Sequence, residues 1–310
     1  MSQNRNKSFG GVWPAMVTPL TESGDINHAA IEGLIDLFVR QRLGGVFILG
    51  STGQWPLLTL AERRGIAERT IKAAAGRIPV MVHVGAAGTQ DAVALARHAG
   101  SIGADAISCV APIYYPSTSD VIFEHYRLVA SATDRPFFVY HLSFVQQQAL
   151  EPSDYAKRLL ALPNIAGMKI TDRDLDTFGL IQASTQGSLT LLSGADEVLC
   201  HAAVSGAAGA VGSFFNLWGA VCQSIRRAFV DGDIEIGRRF MLVFQSVLAE
   251  VGRPGRMWTF LRSAMRKKHG IDIGLPRPPL GLLAQSWSDA EVARLLARVD
   301  EFQSSENALG

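Results

Sequence analysis

The chain is 310 residues long and 48% hydrophobic, enough to bury one large core, and the length suits a single catalytic domain. Its 29 basic residues face 28 acidic ones for a formal charge of +1, and no basic stripe with interleaved aromatics marks a nucleic-acid surface. The start from Met1 to Gly11 is polar, without a signal peptide's apolar core, and no later run reaches the roughly 18 apolar residues a membrane span needs. The expectation is a cytoplasmic protein whose partner is a small molecule.

Short apolar runs alternate with longer amphipathic ones, the pattern of repeated strand and helix units around a parallel sheet. Strands are expected to begin at Val12, Gly45, Pro79, Asp105, Pro136, Ile165, Leu189 and Ala208, and each but the last precedes a helical segment. In the first helix, 31–42, Ile31, Leu34, Ile35 and Phe38 share a face, and the second is headed by a capping-box pattern, Thr59-Leu60-Ala61-Glu62. Segments 89–100 and 119–132 behave alike. Eight such units predict an α/β fold, a (β/α)₈ TIM barrel over residues 1–217.

Beyond Leu217 the alternation stops, and helical patterns at 220–231, 235–251, 257–269 and 288–302 predict a C-terminal helical extension, 218–310, packed on the barrel within one domain. Leu275-Pro276-Arg277-Pro278-Pro279-Leu280 reads as a rigid connector between the last two helices. Cys109, Cys200 and Cys222 lack the paired spacing of a zinc site and read as buried thiols, so no metal is expected.

In such a barrel the reacting groups lie at the carboxyl ends of the strands. After the second strand, Gly50-Ser51-Thr52-Gly53-Gln54 offers close backbone turns and two hydroxyls for a carboxylate, or is an ordinary turn. Lys169 stands in an apolar strand, Ile165 to Ile170, where desolvation disfavours the ammonium and leaves an amine able to form an imine. Its alternative is a structural pair with Asp172 or Glu197.

Tyr140 closes the fifth strand, where its phenol can pass protons, and Tyr114 and Tyr115 follow the fourth; each is otherwise a packing aromatic. After the seventh strand, Ser193-Gly194-Ala195-Asp196-Glu197 places two acids at a helix start, for capping or for gripping a polyol together with Thr171 and Ser213. The glycine-rich 206–213 segment lacks the lysine of a phosphate loop and reads as close packing.

Taken together, these residues resemble the dihydrodipicolinate synthase and N-acetylneuraminate lyase family, enzymes that build or cleave carbon bonds through a pyruvate-lysine Schiff base. The resemblance covers nearly the whole chain. It runs from Gly11-Val12-Trp13-Pro14-Ala15-Met16-Val17-Thr18-Pro19 and Gly24-Asp25-Ile26-Asn27 through Gly50-Ser51-Thr52-Gly53, Tyr114-Tyr115 and Tyr140 to Gly167-Met168-Lys169. It implies that Lys169 forms the Schiff base, Tyr140 transfers protons, and Ser51 and Thr52, with Gly53 in the same turn, hold the substrate carboxylate. Ser51 joins Lys169, Tyr140 and Tyr114 in the implied catalytic set.

The resemblance further implies that Tyr114 completes a proton relay in a neighbouring subunit, hence a homotetramer built as a dimer of dimers, and that no cofactor is needed. Thr171, Gly194, Asp196, Glu197 and Ser213 match positions that hold the sugar chain in the lyase branch. The arginine that the synthase branch carries shortly after the tyrosine is missing from Tyr140-His141-Leu142-Ser143-Phe144-Val145, and Gln54 stands where the family has glutamate. Retro-aldol cleavage of a 2-oxo sugar acid into a 2-oxo acid and an aldehyde is the favoured reading. A synthase-type condensation, a dehydratase using the same imine, and a non-catalytic ligand-binding barrel are its rivals.

Overall fold

The computed structural model of the protein describes residues 9–142 and 151–304. Eight strands, β1 (Gly11–Pro14), β2 (Val46–Ile48), β3 (Val80–His83), β4 (Ala106–Val110), β5 (Phe137–Leu142), β6 (Ile165–Thr171), β7 (Thr190–Ser193) and β8 (Gly209–Gly212), form one sheet ordered β1-β8-β7-β6-β5-β4-β3-β2. Every pairing within it is parallel. A bridge between Ala15 and Phe47, with the Met16 amide donating to the Phe47 carbonyl at 2.8 Å, brings β1 back to β2 and makes the sheet a barrel.

Between the strands run α1 (His28–Arg40), α2 (Leu60–Ala74), α3 (Thr89–Ser101), α4 (Ser119–Ala130), α5 (Pro152–Leu160), α6 (Asp176–Thr185) and α7 (Leu199–Val204). Their starts follow from local chemistry: the Asn27 side chain accepts the Ala30 amide ahead of α1, and Thr59 and Glu62 form the reciprocal capping box of α2. One expectation is corrected. The eighth strand is followed by its own helix, α8 (Phe215–Val230), which begins before residue 220; the kink at Trp218 interrupts the helical period and so hides that start in the sequence. The 217/218 division therefore falls inside a helix. The extension proper is α9 (Ile234–Val251), α10 (Met257–His269) and α11 (Asp289–Ser304).

Because strand side chains alternate faces, each strand feeds two cores. Met168 and Ile170 pack outward with the helices, while Trp13, Phe47, Met81, Phe138, Tyr140, Leu192 and Val211 fill the barrel interior. The inward face of β6 therefore carries Gly167, Lys169 and Thr171.

The proline-rich connector is fastened to the barrel through Arg277. Its guanidinium donates to the Gly24 carbonyl at 3.0 Å, to the Leu57 carbonyl at 3.0 Å, and to both Glu62 oxygens at 2.5 and 3.0 Å. The Arg277 hydrogen bonds hold the Glu62 carboxyl down at about 2, against the opposing effect of its partial burial. Since that value lies below the unfolded one of 4.5, the contribution is full above pH 4.5 and is lost as the pH falls toward about 2. Arg277→Met should thus destabilise the protein at neutral pH by roughly 2–3 kcal/mol, the scale of charge-assisted hydrogen bonds. Thermal melts across that acid window should show the gap to the parent closing. A gap that ignores pH would mean that Arg277 acts through packing alone.

Candidate active site

Register fixes the centre of the site. Tyr140 on β5 is the direct partner of Lys169 on β6, so both project from the same level of the barrel interior. Lys169 is only 4% exposed, and its Nζ lies 3.9 Å from the Tyr140 ring centroid and 4.4 Å from that of Phe47. The carboxylates that would make it a structural ion pair are engaged elsewhere: Glu197 Oε1 accepts Arg173 Nε at 2.9 Å, and Asp172 Oδ1 accepts the Arg173 and Asp174 amides. The amine is thus set against ring faces instead of a counter-ion.

Burial pushes the Tyr140 phenol up, but the charge of Lys169 and hydrogen bonds from Ser51, Thr171 and Lys169 outweigh it, leaving the phenol below its ordinary range. Tyr140 Oη stands 3.5 Å from Ser51 Oγ, and Thr52 Oγ1 is 2.7 Å from Ser213 Oγ, so the turn after β2 meets the end of β8 across the mouth. Gly53 sits beneath, its carbonyl accepting Thr18 Oγ1 at 2.7 Å.

The departure at Gln54 has a structural reason. Its side chain is buried, Oε1 accepts the Arg277 amide at 2.8 Å, and Nε2 donates to the Thr18 carbonyl at 3.3 Å. A carboxylate there would face that carbonyl with no donor.

Opposite, Thr171, Gly194, Asp196, Glu197 and Ser213 come together at the ends of β6, β7 and β8. Glycine is required at 194, since a Cβ there would stand 1.9 Å from Thr171 Oγ1. Asp196 accepts the Ser213 and Phe214 amides at 3.0 Å each, yet burial dominates and pushes its carboxyl up to about 7. A cavity of about 660 Å³ opens on the outer side of Asp196 and Glu197, walled also by Arg173, Gln245 and Arg253, so α9 of the extension supplies one side; Lys169, Tyr140, Ser51 and Thr52 do not line it. Among the described residues no three His, Cys, Asp or Glu side chains are placed to hold a metal ion.

Tyr114 is not brought into this group. It is 80% exposed on the loop after β4, beside Tyr115. The stretch Ser143 to Val145 lies outside the described residues. One residue that sequence reasoning passed over does belong to the site: His83, fully buried at the carboxyl end of β3, stacks edgewise on Tyr140 with ring centroids 5.7 Å apart. The criterion that singled out Tyr140, a polar residue closing an apolar strand, marks His83 equally.

A (β/α)₈ barrel with a desolvated lysine and a phenol at the carboxyl ends of adjacent strands defines an aldolase-type lyase. The chain belongs to the dihydrodipicolinate synthetase family, whose model matches residues 8–297. It is 31% identical over 295 residues to N-acetylneuraminate lyase of Homo sapiens, covering 93% of this chain and 92% of that one, and 36% identical over 281 residues to N-acetylneuraminate lyase A of Xenopus laevis, covering 88% and 91%. Among solved structures, the Proteus mirabilis N-acetylneuraminate lyase superposes with a TM-score of 0.82 at 27% identity, covering 94% of this chain and 98% of that one. With agreement of this extent, the protein is an N-acetylneuraminate-lyase-like class I aldolase, a carbon-carbon lyase.

Asp196 offers a test of the site's electrostatics. A carboxyl raised from 3.8 to about 7 contributes most to stability below its unfolded value and loses that contribution as the pH rises through about 7. The loss is at most roughly 4 kcal/mol. Asp196→Asn should be less stable than the parent in acid, because an amide NH₂ must face a backbone N–H, and should close that gap between about pH 4 and pH 7. Denaturant melts of both proteins over this range check it, and parallel curves would refute the raised carboxyl.

Proposed function

We propose that the protein cleaves a 2-oxo sugar acid of the N-acetylneuraminate kind into pyruvate and an aldehyde sugar, with Lys169 as the Schiff-base residue. The observation that carries this is a lysine amine buried beside a phenol, with no carboxylate in ion-pair contact among the described residues. The Lys169 amine attacks the C2 carbonyl, Tyr140 donates a proton to the departing carbinolamine oxygen, and water leaves as the imine forms. The tyrosinate then takes the C4 hydroxyl proton, the C3–C4 bond breaks toward the iminium, and an enamine results. Protonation at C3 and hydrolysis release pyruvate and the free amine.

Ser51, Thr52 and the Gly53 turn hold the carboxylate at the β2 end. Thr171, Gly194, Asp196, Glu197 and Ser213 receive the hydroxyl-bearing chain at the ends of β6, β7 and β8, and Tyr114, exposed in the single chain, completes the proton path from a neighbouring subunit of a homotetramer. Three buried, free cysteines suit the reducing cytoplasm, and no described helix is long and apolar enough to cross a membrane.

The test is incubation with N-acetylneuraminate and mass analysis of the products. Pyruvate with an amino sugar supports cleavage, and a product that keeps every carbon but loses water assigns the protein to dehydration instead. Tyr140→Phe should lower kcat about 10²- to 10⁴-fold, the contribution of a positioned proton donor. An unchanged kcat would remove Tyr140 from the proton path.

A further inference from the structure

The turn that faces Lys169 is conformationally strained. Leu49, directly before Gly50 and Ser51, has φ of +60°, a left-handed conformation disfavoured for a branched side chain. Such a residue persists only where its surroundings over-determine it. Here His83 supplies that determination: its Nδ1 lies 2.9 Å from the Leu49 carbonyl oxygen, an oxygen that only accepts, so Nδ1 carries the proton and donates.

His83 is itself held from behind. Arg63 is buried, its Nη2 donates to the His83 carbonyl at 2.9 Å and its Nη1 to the Gly85 carbonyl at 2.8 Å, and its guanidinium faces the Trp55 ring at 5.3 Å. Two carbonyls and a ring face are an unusual setting for a buried arginine, which ordinarily has a carboxylate. Burial lowers this guanidinium only to about 10, so it stays charged at neutral pH. Burial foremost, then the Arg63 charge and, after the opposing effect of the hydrogen bond His83 donates to the Leu49 carbonyl, that of Lys169, keep His83 neutral, the form that holds a proton on Nδ1 alone.

The opposite nitrogen, His83 Nε2, has no hydrogen-bond partner among the described residues, nor has Ser108 Oγ on the register partner in β4. Buried polar atoms left unsatisfied concentrate at functional sites. The ring is wedged between Phe47, Trp55 and Tyr140 at centroid separations of 6.2, 5.5 and 5.7 Å. Gly85 closes its remaining side, where an added Cβ would stand 2.7 Å from Nε2.

We propose that His83 is a positioning residue for the 2-oxo acid, clamping the left-handed Leu49 so that the Ser51–Thr52 hydroxyls face Lys169, with Arg63 fixing the clamp. The inference rests on the Schiff-base reading given above and adds to it the residue that sets the carboxylate subsite. His83 acts through Leu49 and makes no contact with the reacting carbon. Its removal therefore acts on capture of the carboxylate more than on the proton transfers at Tyr140.

The experiment is borohydride trapping of pyruvate, read as intact mass over a pyruvate titration, on the parent, His83→Phe, His83→Asn and Gly85→Ala. Phenylalanine keeps the ring against Tyr140 but loses the donor, whereas the asparagine amide retains a donor where Nδ1 stood. His83→Phe should raise the half-saturating pyruvate concentration at least about tenfold, and His83→Asn should recover most of that loss. Gly85→Ala, which displaces the imidazole without replacing it, should move half-saturation in the same direction, and it decides the matter should His83→Phe fail to fold. Lower melting temperatures with unchanged half-saturation in every folded variant would overturn the proposal, as would a deficit in His83→Asn equal to that of His83→Phe. A parent protein that traps no pyruvate would overturn the Schiff-base reading and this inference with it.

Discussion

A lysine head group buried inside an apolar barrel, with no carboxylate in ion-pair contact among the described residues, is the constraint on which the rest of this structure depends. Taking an ammonium out of water is costly unless a charge or a set of dipoles replaces its hydration. Here the replacement consists of two aromatic faces and a phenol, with Tyr140 and Phe47 each within 4.4 Å of Nζ. Ring faces attract the lysine head group without tying it into an ion pair. An adjacent carboxylate would have made Lys169 a structural pair.

The surroundings follow from that choice. Carboxylates near the site are occupied or neutralised: Glu197 by Arg173, Asp196 by burial, which raises its affinity for a proton. The turn after β2 carries two non-glycine residues in left-handed conformations, Leu49 and Gln54. Each is tied down by a bond from a distant element, Leu49 by His83 on β3 and Gln54 by the Arg277 amide in the connector. The helical extension is therefore part of the site's support. It fastens the strained turn through the connector and walls the cavity beside Asp196 and Glu197 through α9.

Much of this was legible in the sequence, for identifiable reasons. Parallel strands buried on both faces read as continuous apolar runs, and each of the eight begins within one residue of its expected start. The capping box at Thr59 is local chemistry and formed as read. The start of α8 was hidden because the kink at Trp218 breaks the helical period within an apolar stretch. Lys169 stood out as a lysine inside an apolar strand and Tyr140 as a polar residue closing one, whereas His83 in Val80-Met81-Val82-His83 was not singled out, since a single histidine carries no charge signal. The pairing of Arg173 with Glu197 and of Arg277 with Glu62 depends on how loops far apart in the chain meet, 24 and 215 residues apart, which no local pattern encodes.

The central claim is that Lys169 forms an imine with a 2-oxo acid. Its most direct test is the intact mass of the protein after borohydride reduction in the presence of pyruvate, comparing the parent chain with Lys169→Ala. The account predicts one reduced pyruvate adduct on the parent, mapped by peptide mass to Lys169, and none on the variant. No adduct on the parent, or one that survives in Lys169→Ala, would contradict it.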